Sequence, residues 1–184
     1  MPSILITTSR RTSNRVRSFA RDLWSVLSGA DRFNRGSMSV EELVARISQS
    51  GAKAAFVISI WKGNPGELAI LLPSGVELLR VRIDSALLRR ETCPKYKMKI
   101  EGIESICVKV GSSAKTREFA MELGKILDVL VQECENPEDI SSNTSRVLIW
   151  FEDTSEGKIL WTHYTTYTGI ELGPRIKISS LRRP

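Results

Sequence analysis

The chain carries one pattern twice, and this limits what it can fold into more than any other feature. Residues 17–23 read RSFARDL and residues 117–123 read REFAMEL. Ser13, Arg17, Phe19, Ala20, Leu23 and Leu27 face Ser113, Arg117, Phe119, Ala120, Leu123 and Leu127 at one constant offset, and Ile6 faces Ile106 upstream. Any two amphipathic helices share some apolar positions, because a stripe on one helical face demands them. The Arg-x-Phe-Ala-x-x-Leu identity, with a cap residue and an upstream strand in register, exceeds that demand and points to an internal duplication. At 184 residues, two small halves sharing a core are expected. Their bounds are placed at 1–92 and 102–184, with the junction inside the mixed stretch DSALLRRETCPKYKMKIEG.

Periodicity fills in each half. SILITT (3–8) reads as a short buried strand. Val16, Phe19, Ala20, Leu23, Trp24 and Leu27 form one helical stripe, with Thr12 or Ser13 as its cap and Gly29 at its end. A second helix spans 40–50, opened by the capping box Ser39/Glu42 and closed by Gly51, with Val40, Leu43, Val44 and Ile47 as its stripe. AAFVISI, ELAILLP and VELLRVRI then make a three-stranded meander. The second half restarts with the strand SICVKV and a helix capped by Ser113, whose apolar stripe runs on through Leu130, Val131 and Cys134 to the stop at Asn136-Pro137. RVLIWF and KILWTHYT form a hairpin, and a last strand lies near 175–179. The expected fold class is α/β, an α+β mixed sheet in two related halves.

Charge is distributed unevenly. The net charge is +6, yet residues 1–36 alone hold seven arginines against two aspartates. Arginine's planar fork suits phosphates and stacked bases better than a lysine point charge does. Smaller basic clusters follow at Arg89, Arg90, Lys95, Lys97 and Lys99, and at Arg175, Lys177, Arg182 and Arg183. Such clustering favours a polyanionic partner over a merely solvated face. No apolar run approaches a membrane span, and the first residues place charge after the apolar stretch, opposite to a secretory signal. A cytoplasmic protein without a membrane partner is expected.

Reaction chemistry finds little support. The single histidine, His163, lies in a strand-like run without a nucleophile or metal partner nearby in sequence. Cys93, Cys107 and Cys134 are odd in number and widely spaced, so neither a disulfide nor a zinc site is expected; Cys107 and Cys134 read as small core residues. No Walker loop, dinucleotide fingerprint, nucleophile elbow or zinc-protease motif occurs. Catalytic residues, metal, cofactor and small-molecule substrate are therefore all expected to be absent. The binding candidates are stronger. TTSRRTSNR (7–15) supplies Arg10, Arg11, Asn14 and Arg15 at a helix N-terminus, where backbone N–H groups already favour anions. Arg17 and Arg21 follow on the helix outside its stripe, Arg32 and Arg35 lie in the next loop, and Arg175 and Lys177 enter the last strand after Gly173-Pro174. The plainer reading of each is a capping loop, a solvated face or turn punctuation.

The order of these pieces resembles the Brix domain family. Ile4-Leu5-Ile6-Thr7-Thr8-Ser9-Arg10, then Ser13, Arg17, Phe19, Ala20 and Leu23, is similar to its opening signature. Arg32 and Asn34-Arg35-Gly36 resemble the following loop, and Gly173-Pro174-Arg175, reached through Ile170-Glu171-Leu172, its closing motif, although Ile176 stands where the family commonly has an aromatic. The nearest likeness is to short archaeal members related to eukaryotic Imp4-like proteins. The resemblance implies two halves, each like the anticodon-binding domain of class II aminoacyl-tRNA synthetases. It also implies a role in ribosome biogenesis and rRNA processing, through contacts with rRNA or pre-rRNA and with ribosomal or assembly-factor proteins. A protein-interaction scaffold with only general RNA contact is the alternative.

Overall fold

The computed structural model describes residues 1–95 and 99–184; Lys97 of the second basic cluster lies outside them. Ile4–Thr8, β-branched but for Leu5, free of turn residues and buried throughout, form β1. The helix α1 (Asn14–Val26) follows, and Ser13 rather than Thr12 caps it, its Oγ accepting from Val16 N. Then come β2 (Asp31–Arg32), α2 (Val40–Ser50), β3 (Ala54–Trp61), β4 (Asn64–Leu71) and β5 (Glu77–Leu87). The Ser39/Glu42 capping box is formed, and Gly51, at φ +76°, ends α2 in the left-handed conformation that glycine adopts without steric cost. After the short α3 (Arg89–Thr92) the pattern repeats with β6 (Ile103–Lys109), α4 (Ala114–Leu127), β7 (Val131–Cys134), a 3-10 turn at Pro137–Asp139, β8 (Val147–Asp153), β9 (Ile159–Thr165) and β10 (Arg175–Arg182).

All ten strands join one mixed sheet in the order β2-β1-β3-β4-β5-β10-β9-β8-β6-β7. The order reads alike from both edges: β1 lies between parallel β2 and β3, and β6 between parallel β7 and β8. Strand alternation sends Ile4, Ile6, Phe56 and Ile58 to one face, where they meet Phe19 and Leu23 of α1. Ile106, Ile149 and Phe151 meet Phe119 and Leu123 of α4 in the same continuous core. The Phe119 ring stands edge-on to Phe151 and Trp161, with centroids 5.3 and 5.8 Å apart. On the opposite face Leu5, Ala55 and Leu71 pack under Leu43 and Ile47 of α2. Arg15 ties α1 to the end of β5: its guanidinium pairs with Glu91 and donates to Ala86 O at 3.0 Å.

Four expectations are corrected. The helix α4 stops at Leu127, not at Cys134, because Asp128 turns left-handed (φ +57°) and Val131–Cys134 form an edge strand. The spacing of Leu130, Val131 and Cys134 fits either structure. Gly124 permits the close packing, since a Cβ there would lie 2.5 Å from Val131 Cγ2. That edge strand brings Cys134 beside Cys107, and the two form a disulfide across β6 and β7. Trp24 is not core: it is 44% exposed, donating to Ala30 O at 3.1 Å under the guanidinium of Arg32. Val40, placed on the α2 stripe, is exposed as well.

His163 is a core residue. Its Nε2 accepts from Trp161 Nε1 at 3.0 Å and its Nδ1 lies 2.9 Å from Pro174 O, so the proton sits on Nδ1. Burial above all pulls its pKa down to about 4, against an opposing hydrogen bond to Pro174. An unfolded chain takes up this proton near the ordinary value of 6.5, while the folded one resists until about 4. The resulting stability is complete above the unfolded value and is lost as pH falls toward the folded one, an effect of roughly 3 kcal/mol. Urea unfolding of wild type and His163→Asn from neutral pH down to pH 4 checks this. The gap between the two proteins should narrow across that window, and a constant gap would sink the assignment. Arg15→Ala should lower the unfolding free energy by about 1 kcal/mol in the same assay at neutral pH, through loss of the Glu91 pair.

Candidate functional site

In an open sheet with parallel strands, ligand sites form beyond the strand C-termini where successive connections leave toward opposite faces. β1 is such a point. The chain leaves it through residues 9–13 into α1 on one face, and leaves β2 through residues 33–39 into α2 on the other. Thr7 Oγ1 donates to Phe33 O at 2.9 Å and Phe33 N to Ile6 O at 3.2 Å, which holds the two loops together.

Between them lies a crevice of about 380 Å³, lined by Thr8, Arg10, Thr12, Arg17, Arg32 and Arg35 among others. A second depression of about 340 Å³ continues along α1, lined by Asn14, Arg17, Ser18, Arg21 and Arg32. Arg17 and Arg32 line both, so the two adjoin, and together they make up a basic groove. Asn14, Arg17, Ser18 and Arg21 reach it because their spacing puts them on one helical face. Local bonds hold several of its side chains: Arg17 donates to Asn14 Oδ1, Arg21 to Ser18 Oγ at 3.4 Å, and the Arg32 guanidinium lies 5.8 Å from the Trp24 ring centroid. Arg35 is buried, with Nε donating to Met38 O at 2.7 Å. Burial, and then the neighbouring Arg10 charge, lower the Arg35 guanidinium below its ordinary value. Among the described residues no acidic side chain lines the groove. Among the described residues Arg10, Arg17, Arg21, Arg32 and Arg35 form no ion pair.

The groove thus gathers Arg10, Asn14, Arg17, Arg21, Arg32 and Arg35. Four other candidates lie apart from it. Arg11 is exposed outside the lining. Arg15 is committed to Glu91. Arg175 donates from Nε to Glu171 Oε1 at 2.7 Å, and Glu171 also accepts from Thr162 Oγ1 at 2.7 Å. Lys177 is exposed on β10. Thr8, Thr12 and Ser18 line the groove as well, beyond the arginines and Asn14 that the sequence offers as binding candidates, and Thr8 and Thr12 lie in the TTSRRTSNR stretch.

The corresponding place in the second half is electrostatically closed. Arg117 pairs with Glu133 of β7 at 3.5 Å. Asp153, at the end of β8, accepts from Ser113 N at 2.6 Å, from Ser113 Oγ at 3.0 Å and from Thr116 Oγ1. Burial raises the Asp153 carboxyl, but these bonds outweigh it and hold the group below the usual range. In the first half Ser13 Oγ instead donates to the neutral carbonyl of Gly63 at 2.7 Å. Ile6 of β1 faces Arg32, whereas Ile106 of β6 faces Val131. Among the described residues, arginines without a lining carboxylate therefore stand at the strand ends beside α1, whereas Glu133 and Asp153 stand at those beside α4. Among the described residues no cluster of three metal-ligating side chains occurs and no helix is long and apolar enough to cross a membrane.

No protein-family profile matches the chain. Over 72 residues it is 43% identical to a probable Brix domain-containing ribosomal biogenesis protein of Aeropyrum pernix, covering 39% of this chain and 40% of that protein. Over 75 residues it is 39% identical to the U3 small nucleolar ribonucleoprotein protein IMP4 of Bos taurus, covering 40% of this chain and 26% of the relative. The matched segment thus spans two fifths or less of these curated relatives. Likeness of fold extends further. The crystal structure of a probable ribosomal biogenesis protein from Aeropyrum pernix K1 superposes with a TM-score of 0.77 at 27% identity, covering 100% of this chain and 97% of that one. The archaeal Imp4-like protein Mil superposes with a TM-score of 0.63 at 22% identity over 98% of this chain and 99% of its own, a likeness of fold alone. By sequence over part of its length the chain is similar to archaeal Brix domain-containing ribosomal biogenesis proteins and to Imp4 proteins, and its fold is similar to that of the archaeal ribosomal biogenesis protein over its whole length.

Proposed function

We propose that this protein is a ribosome biogenesis factor that binds rRNA or pre-rRNA through the arginine groove of its first half and makes or breaks no covalent bond. The observation that carries the reading is the groove itself, a cleft beyond the strand ends with five arginines and no lining carboxylate among the described residues. Phosphate contacts from such a surface supply affinity and position, while sequence must be read elsewhere. The names of its relatives, ribosomal biogenesis protein and U3 ribonucleoprotein protein, support the same setting. Arg11 and Lys177 add general attraction, and Arg15 and Arg175 serve the fold through their carboxylate partners.

The two halves, bounded at 1–92 and 102–184, are proposed to descend from one duplicated unit with the likeness to anticodon-binding domains described above. The mirrored strand order and the shared helix positions support this. A cytoplasmic site of action, with assembly-factor proteins as further partners, completes the proposal.

The test is the salt dependence of binding to rRNA fragments. Affinity should fall steeply with salt, with a log–log slope set by the number of phosphates neutralised. Replacing Arg10, Arg17 and Arg32 together by alanine should weaken binding about ten- to hundred-fold and flatten the slope by roughly two. Arg117→Ala, at the compensated end, should change neither. Equal slopes for the triple variant and wild type would place binding elsewhere.

A further inference from the structure

The groove has a floor that a merely solvated basic surface lacks. Arg35 is only 8% exposed. Its two hydrogen bonds go to carbonyl oxygens, of Met38 at 2.7 Å and Thr8 at 3.4 Å. Both acceptors are neutral, so the charge is buried without a counter-ion among the described residues. Leaving a buried charge uncompensated is among the costlier things a fold does. Arg10 lines the same crevice and opposes the Arg35 charge. Two further polar atoms of the lining, Thr12 Oγ1 and Arg32 Nε, are buried and have no hydrogen-bond partner. Donors therefore outnumber acceptors in a space of about 380 Å³, the size range of small-ligand sites.

We propose that this crevice is a socket for the terminal phosphate of an RNA strand. The proposal rests on the reading of the groove as an RNA-binding surface and specifies which part of the RNA enters it. A phosphodiester within a strand carries one negative charge and continues in both directions. A terminal phosphomonoester carries close to two charges at neutral pH, with three acceptor oxygens. Two neighbouring guanidinium groups without a carboxylate match the second of these. The buried Thr8, Ala20 and Arg35 in the lining suit a group at which the chain ends. From the socket the strand would run over Arg17 and Arg32 into the depression lined by Asn14, Ser18 and Arg21.

The experiment compares one short oligoribonucleotide in three forms: with a 5′-phosphate, with a 3′-phosphate, and with hydroxyls at both ends. One phosphorylated form should bind at least roughly ten-fold tighter than the hydroxyl form, as charge-assisted hydrogen bonds allow. Which form it is identifies the end. Inorganic phosphate should compete away that excess and leave the remainder. The excess should fade below about pH 6, where the monoester regains its second proton. Arg10→Ala, an exposed change, and Arg35→Lys, which keeps the charge and loses the fork, should each abolish it. Equal binding of all three forms, or an excess that survives both substitutions, overturns the socket; if salt-sensitive binding of the hydroxyl form persists, the groove reading stands. Failure of all three forms to bind overturns both.

Discussion

The antiparallel pairing of β5 with β10 is the interaction on which the rest of the architecture depends. Residues 80–87 of β5 meet residues 175–182 of β10, and this seam joins two half-sheets into one. Pairing is antiparallel from the seam out to β3 and β8 and parallel beyond them, so that β6 runs opposite to β1. The two strand-end sites consequently lie on opposite edges of the sheet. The return of the chain into β10 is held by buried groups. His163 O accepts from Leu172 N at 2.8 Å, His163 Nδ1 meets Pro174 O, and Thr92 Oγ1 donates to Leu172 O at 2.7 Å. The closing Gly173-Pro174-Arg175 segment is thus bound up with the seam, and Arg175 is spent on Glu171 beside it.

Much of this frame was legible in the sequence, for identifiable reasons. Ser13, Ser39 and Ser113 announced helix starts because a hydroxyl there accepts from a backbone N–H that has no helical partner. The meander β3–β4–β5 and the hairpin β8–β9 announced themselves through β-rich runs broken by turns. The edge strands β2 and β7 did not, since two to four residues are too few to show a period. Misreading β7 as helix also hid the disulfide: Cys107 and Cys134 are 27 residues apart and become neighbours only when both lie on adjacent strands.

The basic site was legible as a concentration of arginines, but not as an arrangement. Nothing near Arg15 in sequence shows that Glu91, 76 residues on, will take its charge. Nothing near Arg35 shows that it will be buried. These are tertiary facts, and they divide the arginines by role: Arg15 and Arg175 hold the fold, while Arg10, Arg17, Arg21, Arg32 and Arg35 gather in a groove without acids. Helices α1 and α4 bury matching residues, Phe19 and Leu23 in one and Phe119 and Leu123 in the other, and they differ in how the charge at the adjoining strand ends is met. Beside α4 Glu133 pairs with Arg117 and Asp153 accepts from Ser113 and Thr116; beside α1 Glu91 takes the charge of Arg15, but among the described residues no carboxylate lines the groove.

Crosslinking to bound rRNA fragments, with the attached peptides identified by mass spectrometry, tests this asymmetry most directly. Crosslinks should fall in residues 8–21 and 32–36, around the groove. Crosslinks concentrated instead in residues 109–121 and 131–136, the compensated counterpart, or on β9 and β10 would contradict it.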